Sequence, residues 1–306
     1  MKKVFVILLV FIILAGVFVF LGFLKKKKTT PPPIKTEVRV EKWEEEGPRI
    51  EGKYCDAEIV KLDDGRFRIY YSLEPEVPGF AGQIYSAVSE DGLNFKEEGE
   101  VMKGATFPSV IKLPDGRWRM YYQKAGAIRS SISEDGLRWT EEKGIRIEKG
   151  EKGFYDDYNV ASPTVIQLKN GQYKMFYRGS VKGRYEPNSQ QEEVSRLLSA
   201  TSSDGLSWQK EPGIVVDTMT EELHGQVDGP KVILWDDGKL RLFYWSFEGI
   251  YVSELLDEGK VVSTKLILQS QGPRAPGDPT VIKIGNTWRM YYAYHTEGIY
   301  SAMLKK

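Results

Sequence analysis

Four aspartates in this sequence could carry out acid–base chemistry, because each stands in or beside a turn that leads into an apolar segment. They are Asp56, Asp157, Asp228 and Asp278. Two carboxyl groups in different environments can divide such work, one donating a proton and the other accepting one. Further residues have types that suit a hydroxylated ligand, since aromatic faces stack on sugar C–H groups: Glu58, Gln123, Tyr158, Arg178, Trp245, Tyr294 and His295. Together these residues predict a carbohydrate site if the fold gathers them.

The elements that must gather them are five similar segments. They cover residues 56–72, 107–123, 162–178, 229–245 and 278–294. Each has an apolar strand, a tight turn, and a second strand in which aromatic and polar residues alternate. The first four segments have Asp-Gly or Asn-Gly at the turn, which is the strongest short signal for a β-hairpin.

A second motif follows three of these hairpins, in residues 89–95, 133–139 and 202–208, and has the pattern Ser-x-Asp-Gly-Leu-x-aromatic. A repeat therefore contains about four antiparallel strands, as in a propeller blade. The fifth repeat lacks this piece, and residues 43–50 resemble it. We therefore predict an all-β, five-bladed propeller in which the N-terminal strand closes the last blade. An open β-sandwich is the alternative.

The hairpins place the start of the first strand and the end of the second at one end of each blade. The aligned first positions predict a ring around the channel: Asp56, Phe107, Ser162, Gly229 and Asp278. Two positions further on, every repeat is polar, which suggests side chains that face a wet channel. This second column contains Glu58, Ser109, Thr164, Lys231 and Thr280. The remaining candidate residues belong to strand ends and loops at the same mouth, including Asp156, His224 and the insertion 180–197.

These features resemble the five-bladed propeller glycosidases, in particular glycoside hydrolase family 43 and the invertase-like enzymes. The resemblance covers about residues 40–306. It implies inverting hydrolysis, with a catalytic base at Asp56 and a general acid at Asp228 or Asp278. A third acid in blade three would tune the pKa of the general acid, and Asp157 is the candidate because Ser162 stands at the expected place. Ala57 also replaces the usual proline. The resemblance further implies calcium or another cation in the channel.

Two other functions remain open from the sequence. One is a carbohydrate-binding propeller without catalysis, which Ser162 favours unless Asp157 points inward. The other is a scaffold for a protein partner, which predicts an exposed apolar patch and no acid cluster in the channel.

The N-terminus predicts a single-pass membrane anchor. Residues 4–24 carry no charge and would span about 31 Å as a helix, at about 1.5 Å per residue. The predicted organisation is an anchor over 1–28, a proline-rich linker over 29–40 and the propeller over 41–306. A cleaved signal peptide is the alternative. Lys25 to Lys28 favour a body inside the cell, whereas a glycoside substrate favours the outside, and we expect an extracellular propeller.

Composition excludes several classes of function. Seven of the 43 Lys and Arg residues and none of the 43 Asp and Glu residues lie in residues 1–35, so the remainder has an excess of seven acids. Such a body lacks the basic field of a nucleic-acid-binding protein. The single cysteine excludes an internal disulfide and a zinc site built from cysteines, and we predict no protein metal site from the sequence itself.

Overall fold

The computed structural model describes residues 42–187, 191–256, 259–272 and 274–305. The predicted anchor at 1–28, with its apolar segment 4–24, and the linker at 29–40 lie outside the described residues. Among the residues that are described, no helix is long and apolar enough to cross a bilayer.

Five antiparallel sheets of four strands each make up the described chain. Blade I contains β2 (Tyr54–Lys61), β3 (Phe67–Leu73), β4 (Gln83–Ser89) and β5 (Lys96–Lys103). Blade II contains β6 (Thr106–Lys112), β7 (Trp118–Lys124), β8 (Ala127–Ser133) and β9 (Thr140–Glu141). Blade III contains β10 (Asn159–Gln167), β11 (Tyr173–Lys182), β12 (Glu193–Ser202) and β13 (Gln209–Lys210). Blade IV contains β14 (Asp228–Leu234), β15 (Leu240–Ser246), β16 (Gly249–Leu256) and β17 (Lys260–Gln269).

Blade V is completed by both ends of the propeller. It contains β18 (Pro276–Ile284), β19 (Thr287–Tyr294), β20 (Gly298–Lys305) and the first strand of the chain, β1 (Lys42–Glu51). Strand β1 pairs with β20 in antiparallel register, from Lys42 opposite Lys305 to Glu51 opposite Gly298. The predicted closure is therefore confirmed, and it joins the two ends of the ring through a hydrogen-bonded sheet.

The first strands of the blades line the centre, and each contacts the next in the order β2, β6, β10, β14, β18 and back to β2. The hydrophobic core lies between neighbouring blades rather than at the centre. For example, Tyr70 of blade I packs with Val110 and Met120 of blade II in one buried cluster. The alternation of apolar and polar residues along each strand supplies both faces of every blade to such clusters.

The Ser-x-Asp-Gly motifs form turns that hold the blades together. In blade I the Ser89 hydroxyl accepts a hydrogen bond from Gly92 N (2.9 Å), and Asp91 accepts one from Leu93 N (2.8 Å). Each turn is then bound by a buried tyrosine of the preceding blade. The tyrosine hydroxyls donate to carbonyl oxygens in three pairs: Tyr291 to Gly92, Tyr70 to Gly136, and Tyr121 to Gly205. These contacts give the turns a structural role between neighbouring blades.

Candidate functional site

Five left-handed residues surround the mouth of the channel, one from each blade. They occupy the aligned ring positions: Asp56 (φ 53°), Phe107 (55°), Ser162 (47°), Gly229 (56°) and Asp278 (48°). A break in strand register accompanies each of them. Residues other than glycine seldom adopt this conformation, and bulges of this kind redirect side chains. The ring predicted by alignment is thus a repeated backbone feature that turns side chains toward the mouth.

A narrow cavity of about 30 Å³ lies at this mouth. Its lining includes the ring residues and the residue that follows each: Ala57, Pro108, Pro163, Pro230 and Pro279. Four prolines fix the backbone after the left-handed residue, because the proline ring restricts φ. The mouth is therefore built from rigid backbone.

Asp56 and Asp278 form a buried pair on one side of the cavity. The Asp56 amide donates to Asp278 Oδ2 (3.4 Å), and the Phe107 amide donates to Asp56 Oδ2 (3.2 Å). Burial raises the pKa of Asp56 well above its ordinary value, and the neighbouring Asp278 charge raises it further. Burial likewise raises the pKa of Asp278 to about 6. Two adjacent carboxyl groups out of water resist double ionisation, so the pair can retain a proton in mildly acidic solution.

Asp278 is held by an aromatic and a cationic neighbour. Trp245 Nε1 donates to Asp278 Oδ1 (2.8 Å), and His295 Nε2 lies 3.7 Å from Asp278 Oδ2. His295 Nδ1 is 2.8 Å from Glu74 Oε1. Burial lowers the pKa of His295, but the Glu74 hydrogen bond and the charge of Asp278 outweigh it and raise that pKa to about 9. The imidazole is therefore a cation at neutral pH, and it opposes the rise in the pKa of Asp278.

Asp228 occupies a different environment, surrounded by donors. Its Oδ1 accepts from the Ser162 hydroxyl (2.5 Å) and from the Gly229 amide (2.8 Å), and its Oδ2 lies 3.3 Å from Arg178 Nε. Arg178 also pairs with Glu193. A carboxylate has only acceptor sites, so this set of donors suits the ionised form of Asp228.

The second polar column is buried except at Lys231, which is half-buried, and Glu58, Thr164 and Lys231 line the cavity at the mouth. Ser109 and Thr164 accept hydrogen bonds from backbone amides of the next blade, Val165 N (3.2 Å) and Val232 N (3.1 Å). These polar residues therefore join the first strands to one another, and that explains why each repeat has one.

Glu58 and Lys231 form an ion pair within that column. Lys231 Nζ lies 2.5 Å from Glu58 Oε2 and 2.6 Å from Oε1. Glu58 also accepts from the Val110 amide (2.9 Å), and only 2% of the residue is exposed. Its carboxylate is thus committed to contacts inside the propeller.

The other candidate residues lie away from the carboxyl cluster. Asp157 accepts a hydrogen bond from Gly153 N within its own loop (2.8 Å). Tyr158 is exposed, and Lys182 Nζ lies 5.3 Å from its ring centre. Gln123 Nε2 donates to the first two residues of β10, Asn159 and Val160, and the Tyr294 hydroxyl donates to Glu45 of β1 (3.1 Å). The structure therefore brings Asp56, Asp228, Asp278, Arg178, Trp245 and His295 together and leaves these four outside.

Two carboxyl groups of the site, Glu74 and Glu193, were not among the residues predicted from the sequence. Glu74 directly follows β3 and could have been found, because the end of the second strand in each repeat was already expected at the mouth. Glu193 begins β12 and accepts from the Ser180 hydroxyl (2.8 Å) as well as Arg178. Its position depends on the register of the β11–β12 hairpin, which no local motif in the insertion indicates.

The implied calcium ion does not fit the residues at the mouth. Calcium takes six to eight oxygen ligands. Among the described residues, two groups have ligand atoms within 4.8 Å of one another, and both contain a thiol: Cys55, Glu74 and His295, and Cys55, Asp56 and Asp278. Burial raises the pKa of the Cys55 thiol, and the channel column already contains the Lys231 ammonium. We therefore derive no step through a metal ion.

Comparison with known proteins supports the class of fold. No protein-family model matches the chain, and no curated protein matches it. A thermostable family-43 glycoside hydrolase has a TM-score of 0.65 at 14% identity, over 83% of this chain and 89% of that one. A glycosyl hydrolase from Bacteroides ovatus has a TM-score of 0.62 at 15% identity, over 82% and 84%.

A third similar structure belongs to family 130. Its description places mannoside phosphorylases in that family, together with hydrolases that target β-1,2-mannosidic linkages in Candida mannan. Its TM-score is 0.64 at 14% identity, over 82% of this chain and 84% of that one. The chain is thus a five-bladed β-propeller with the fold of the glycoside hydrolases. The resemblance recognised from the sequence is confirmed for the fold.

Proposed function

We propose that this protein binds a glycoside at the channel mouth and hydrolyses it by general acid–base chemistry. The observation that carries the proposal is the contrast between two carboxyl environments at one mouth, where Asp278 lines the cavity and Asp228 directly precedes Gly229 of its lining. Asp278 is buried in a pair that retains a proton, whereas Asp228 is surrounded by hydrogen-bond donors. Carboxyl groups with such different surroundings are suited to opposite roles.

These contacts favour Asp278 as the general acid. Its pKa of about 6 leaves a substantial protonated fraction in mildly acidic solution, so it can protonate the oxygen of the leaving group. Asp228 is the better base, because Arg178 and two other donors favour its ionised form, and it would deprotonate the attacking water. Asp56 is a positioning neighbour of the acid, because its backbone amide donates to Asp278 Oδ2 (3.4 Å). Water attack opposite the leaving group would invert the sugar.

Trp245, Arg178 and His295 are the residues that would bind the sugar. The Trp245 indole is fixed by its hydrogen bond to Asp278, so its ring can support the sugar ring beside the acid. Arg178 and the His295 cation can donate hydrogen bonds to hydroxyl groups. Glu193 holds Arg178 in position from the side opposite Asp228.

The test uses the full chain, purified in detergent because of the apolar segment 4–24. Wild type, Asp278→Asn and Asp228→Asn are assayed on aryl glycosides and oligosaccharides. Each variant should lose about 10²–10⁴-fold in kcat, as expected for removal of a general acid or base. Asp157→Asn is the matched control, because Asp157 lies in a loop of the same face but bonds to Gly153, and it should keep its activity.

Two results would count against the proposal. Turnover that persists in both variants would remove their catalytic roles. Absence of turnover together with stabilisation of the wild type by a sugar would favour the binding-only alternative, which Ser162 supports because blade III supplies no acid at the ring. Where turnover occurs, NMR of the first product identifies the anomer, and a retained configuration would contradict the inverting mechanism.

We also propose that segment 4–24 tethers the propeller outside the cell. The segment carries no charge over 21 residues, and oligosaccharide substrates are commonly extracellular. Protease added to intact cells should cleave the propeller from its membrane fraction. Protection of the propeller until the cells are lysed would place it inside and refute this part of the proposal.

A further inference from the structure

A second cavity lies in blade III and shares no residue with the ring. Its volume is about 340 Å³, at the lower end of the range of small-ligand sites. Phe154 and Tyr155 line one side, and Tyr177, Leu198, Lys210 and Pro212 line the remainder. Phe154 and Tyr155 belong to residues 150–158, which we call the aromatic loop. The walls are mainly apolar, with charged groups among them.

The aromatic loop is held rigidly on its inner side. The carboxylate of Asp156 is buried and accepts hydrogen bonds from the Tyr177 hydroxyl (3.0 Å) and Lys210 Nζ (2.6 Å). The Gly150 amide donates to the Asp156 carbonyl (3.2 Å) and closes the loop. These contacts fix the backbone that presents Phe154 and Tyr155.

Two glycines make this close approach possible. A Cβ atom on Gly150 would lie 2.3 Å from Asp156 Oδ1, and one on Gly179 would lie 2.8 Å from Asp156 Cβ. Both distances are far below a van der Waals contact, so larger residues would push the loop away. The loop is therefore packed tightly against β11, and this packing requires glycine at positions 150 and 179.

The outer side of the loop exposes its aromatic rings. Phe154 is 61% exposed and Tyr155 is 45% exposed. The Arg196 guanidinium lies 5.1 Å from the Tyr155 ring centre and helps to fix its orientation. Exposed rings on a rigid loop lose little further conformational entropy when a ligand covers them, and this small loss favours binding.

We propose that this cavity is a secondary carbohydrate site, which holds sugar units of an oligosaccharide or polysaccharide away from the bond that is cleaved. Aromatic rings fit the C–H faces of sugars, and the charged side chains of Lys210 and Glu211 in the lining offer partners for hydroxyl groups. A protein partner is less favoured, because a stable interface needs about 800 Å² on each side and this patch consists of two rings.

One strand, β11, connects the support of this cavity to the candidate active site. Gly179, which supports the aromatic loop, directly follows Arg178, which contacts Asp228. A chain bound in this cavity is therefore carried by the same blade as residues of the acid–base cluster. The inference rests on the proposed function for its class of ligand, but its test does not depend on turnover.

The test measures binding and turnover separately on the full chain in detergent. Binding of soluble arabinan, xylan and β-1,2-linked mannan is measured by affinity electrophoresis and calorimetry. The double variant Phe154→Ala/Tyr155→Ala should lose at least about tenfold in affinity for the polysaccharide that binds, the size of loss typical of aromatic anchors. It should turn over a short aryl glycoside like the wild type. Phe247→Ala is the matched control, because Phe247 is 46% exposed in blade IV.

The variants of the acid–base site separate the two proposals. Asp278→Asn should abolish turnover yet keep polysaccharide affinity if the cavity binds sugar independently. The inference is overturned if no polysaccharide binds the wild type, or if the double variant binds as the wild type does. It is also overturned if the double variant loses only self-association in light scattering, which would make the aromatic loop a protein interface.

Discussion

Replacement of Asp278 by asparagine should stabilise the protein at neutral pH while it abolishes turnover. The pKa of Asp278 is raised from 3.8 to about 6 in the folded chain. Between these values the folded state binds more protons than the unfolded state, so stability falls as pH rises through this window. A shift of about two pKa units corresponds to about 3 kcal/mol lost above pH 7. Asparagine avoids this cost, because it is neutral and still offers an oxygen to Trp245 Nε1.

The assay is urea unfolding of wild type and Asp278→Asn at pH 4 and pH 7.5. At pH 7.5 we expect the variant to gain about 2–3 kcal/mol, which raises Tm by about 5 °C for a domain of this size. At pH 4 most of the gain should vanish, because the wild-type carboxyl group is then protonated. Asp204→Asn is the control, since hydrogen bonds from the Ser207 and Leu206 amides lower the pKa of Asp204 to about 2. Its replacement should destabilise the protein at pH 7.5.

One result would refute the reasoning about Asp278. If Asp278→Asn is less stable than the wild type by 1 kcal/mol or more at pH 7.5, the ionised carboxylate stabilises the fold. In that case the His295 cation dominates the environment of Asp278, and the assignment of Asp278 as a proton donor fails with it. A stabilised but inactive variant is the signature of a group retained for function rather than for folding.

Three further predictions concern other parts of the molecule. Lys231→Met should lower the free energy of unfolding in urea by about 3–5 kcal/mol, because it leaves the buried Glu58 carboxylate unpaired. The double variant Lys231→Met/Glu58→Gln should recover most of this loss. A loss below about 1 kcal/mol in the single variant would contradict the pairing. Gly179→Ala should lower the free energy of unfolding by about 1–3 kcal/mol through overpacking, since its Cβ would lie 2.6 Å from Leu198 Cδ1. An unchanged free energy of unfolding would show that the aromatic loop is not tightly packed. If Asp278 is the acid, kcat/KM should fall about tenfold per pH unit above about 6, and a flat profile up to pH 8 would exclude that role.

The fold could be predicted because its signals are local and repeated. Each hairpin has its own turn residues, and the two ends of the sequence complement one another, so no long-range pairing had to be guessed. The alignment was correct to single residues, since all five aligned ring positions share the left-handed conformation. The repeated pattern therefore predicts the backbone geometry of all five blades, and the prediction does not depend on any one blade.

The candidate site was harder to predict because it depends on where individual side chains point. Tyr294 and His295 are consecutive, and neighbours at a strand end face opposite sides; His295 meets Asp278, whereas Tyr294 meets Glu45. The same holds in the loop before β10, where Asp156 is buried and Asp157 caps its own loop. Which of two neighbouring side chains faces the site depends on bulges and loop closure, and the sequence pattern does not specify these.

The balance of charges at the mouth fits the proposed acid–base chemistry better than a purely stabilising role. Its named carboxyl groups outnumber its named cations: Asp56, Glu58, Glu74, Glu193, Asp228 and Asp278 against Arg178, Lys231 and His295. Lys231 is committed to Glu58, and Arg178 to Asp228 and Glu193. His295 alone remains for Glu74 and the buried aspartate pair, which must therefore hold its proton.

The strained backbone at the mouth also lowers the stability of the fold. Four ring residues other than glycine adopt left-handed conformations, each of which costs about 1–2 kcal/mol. Glycine at those positions would remove the cost, and Gly229 shows that the geometry accepts it. In the other blades a side chain is retained at each position, and for Asp56 and Asp278 that side chain is an acid facing the cavity. Strain and excess negative charge at a single mouth are both accounted for if the proposed proton-transferring site is correct.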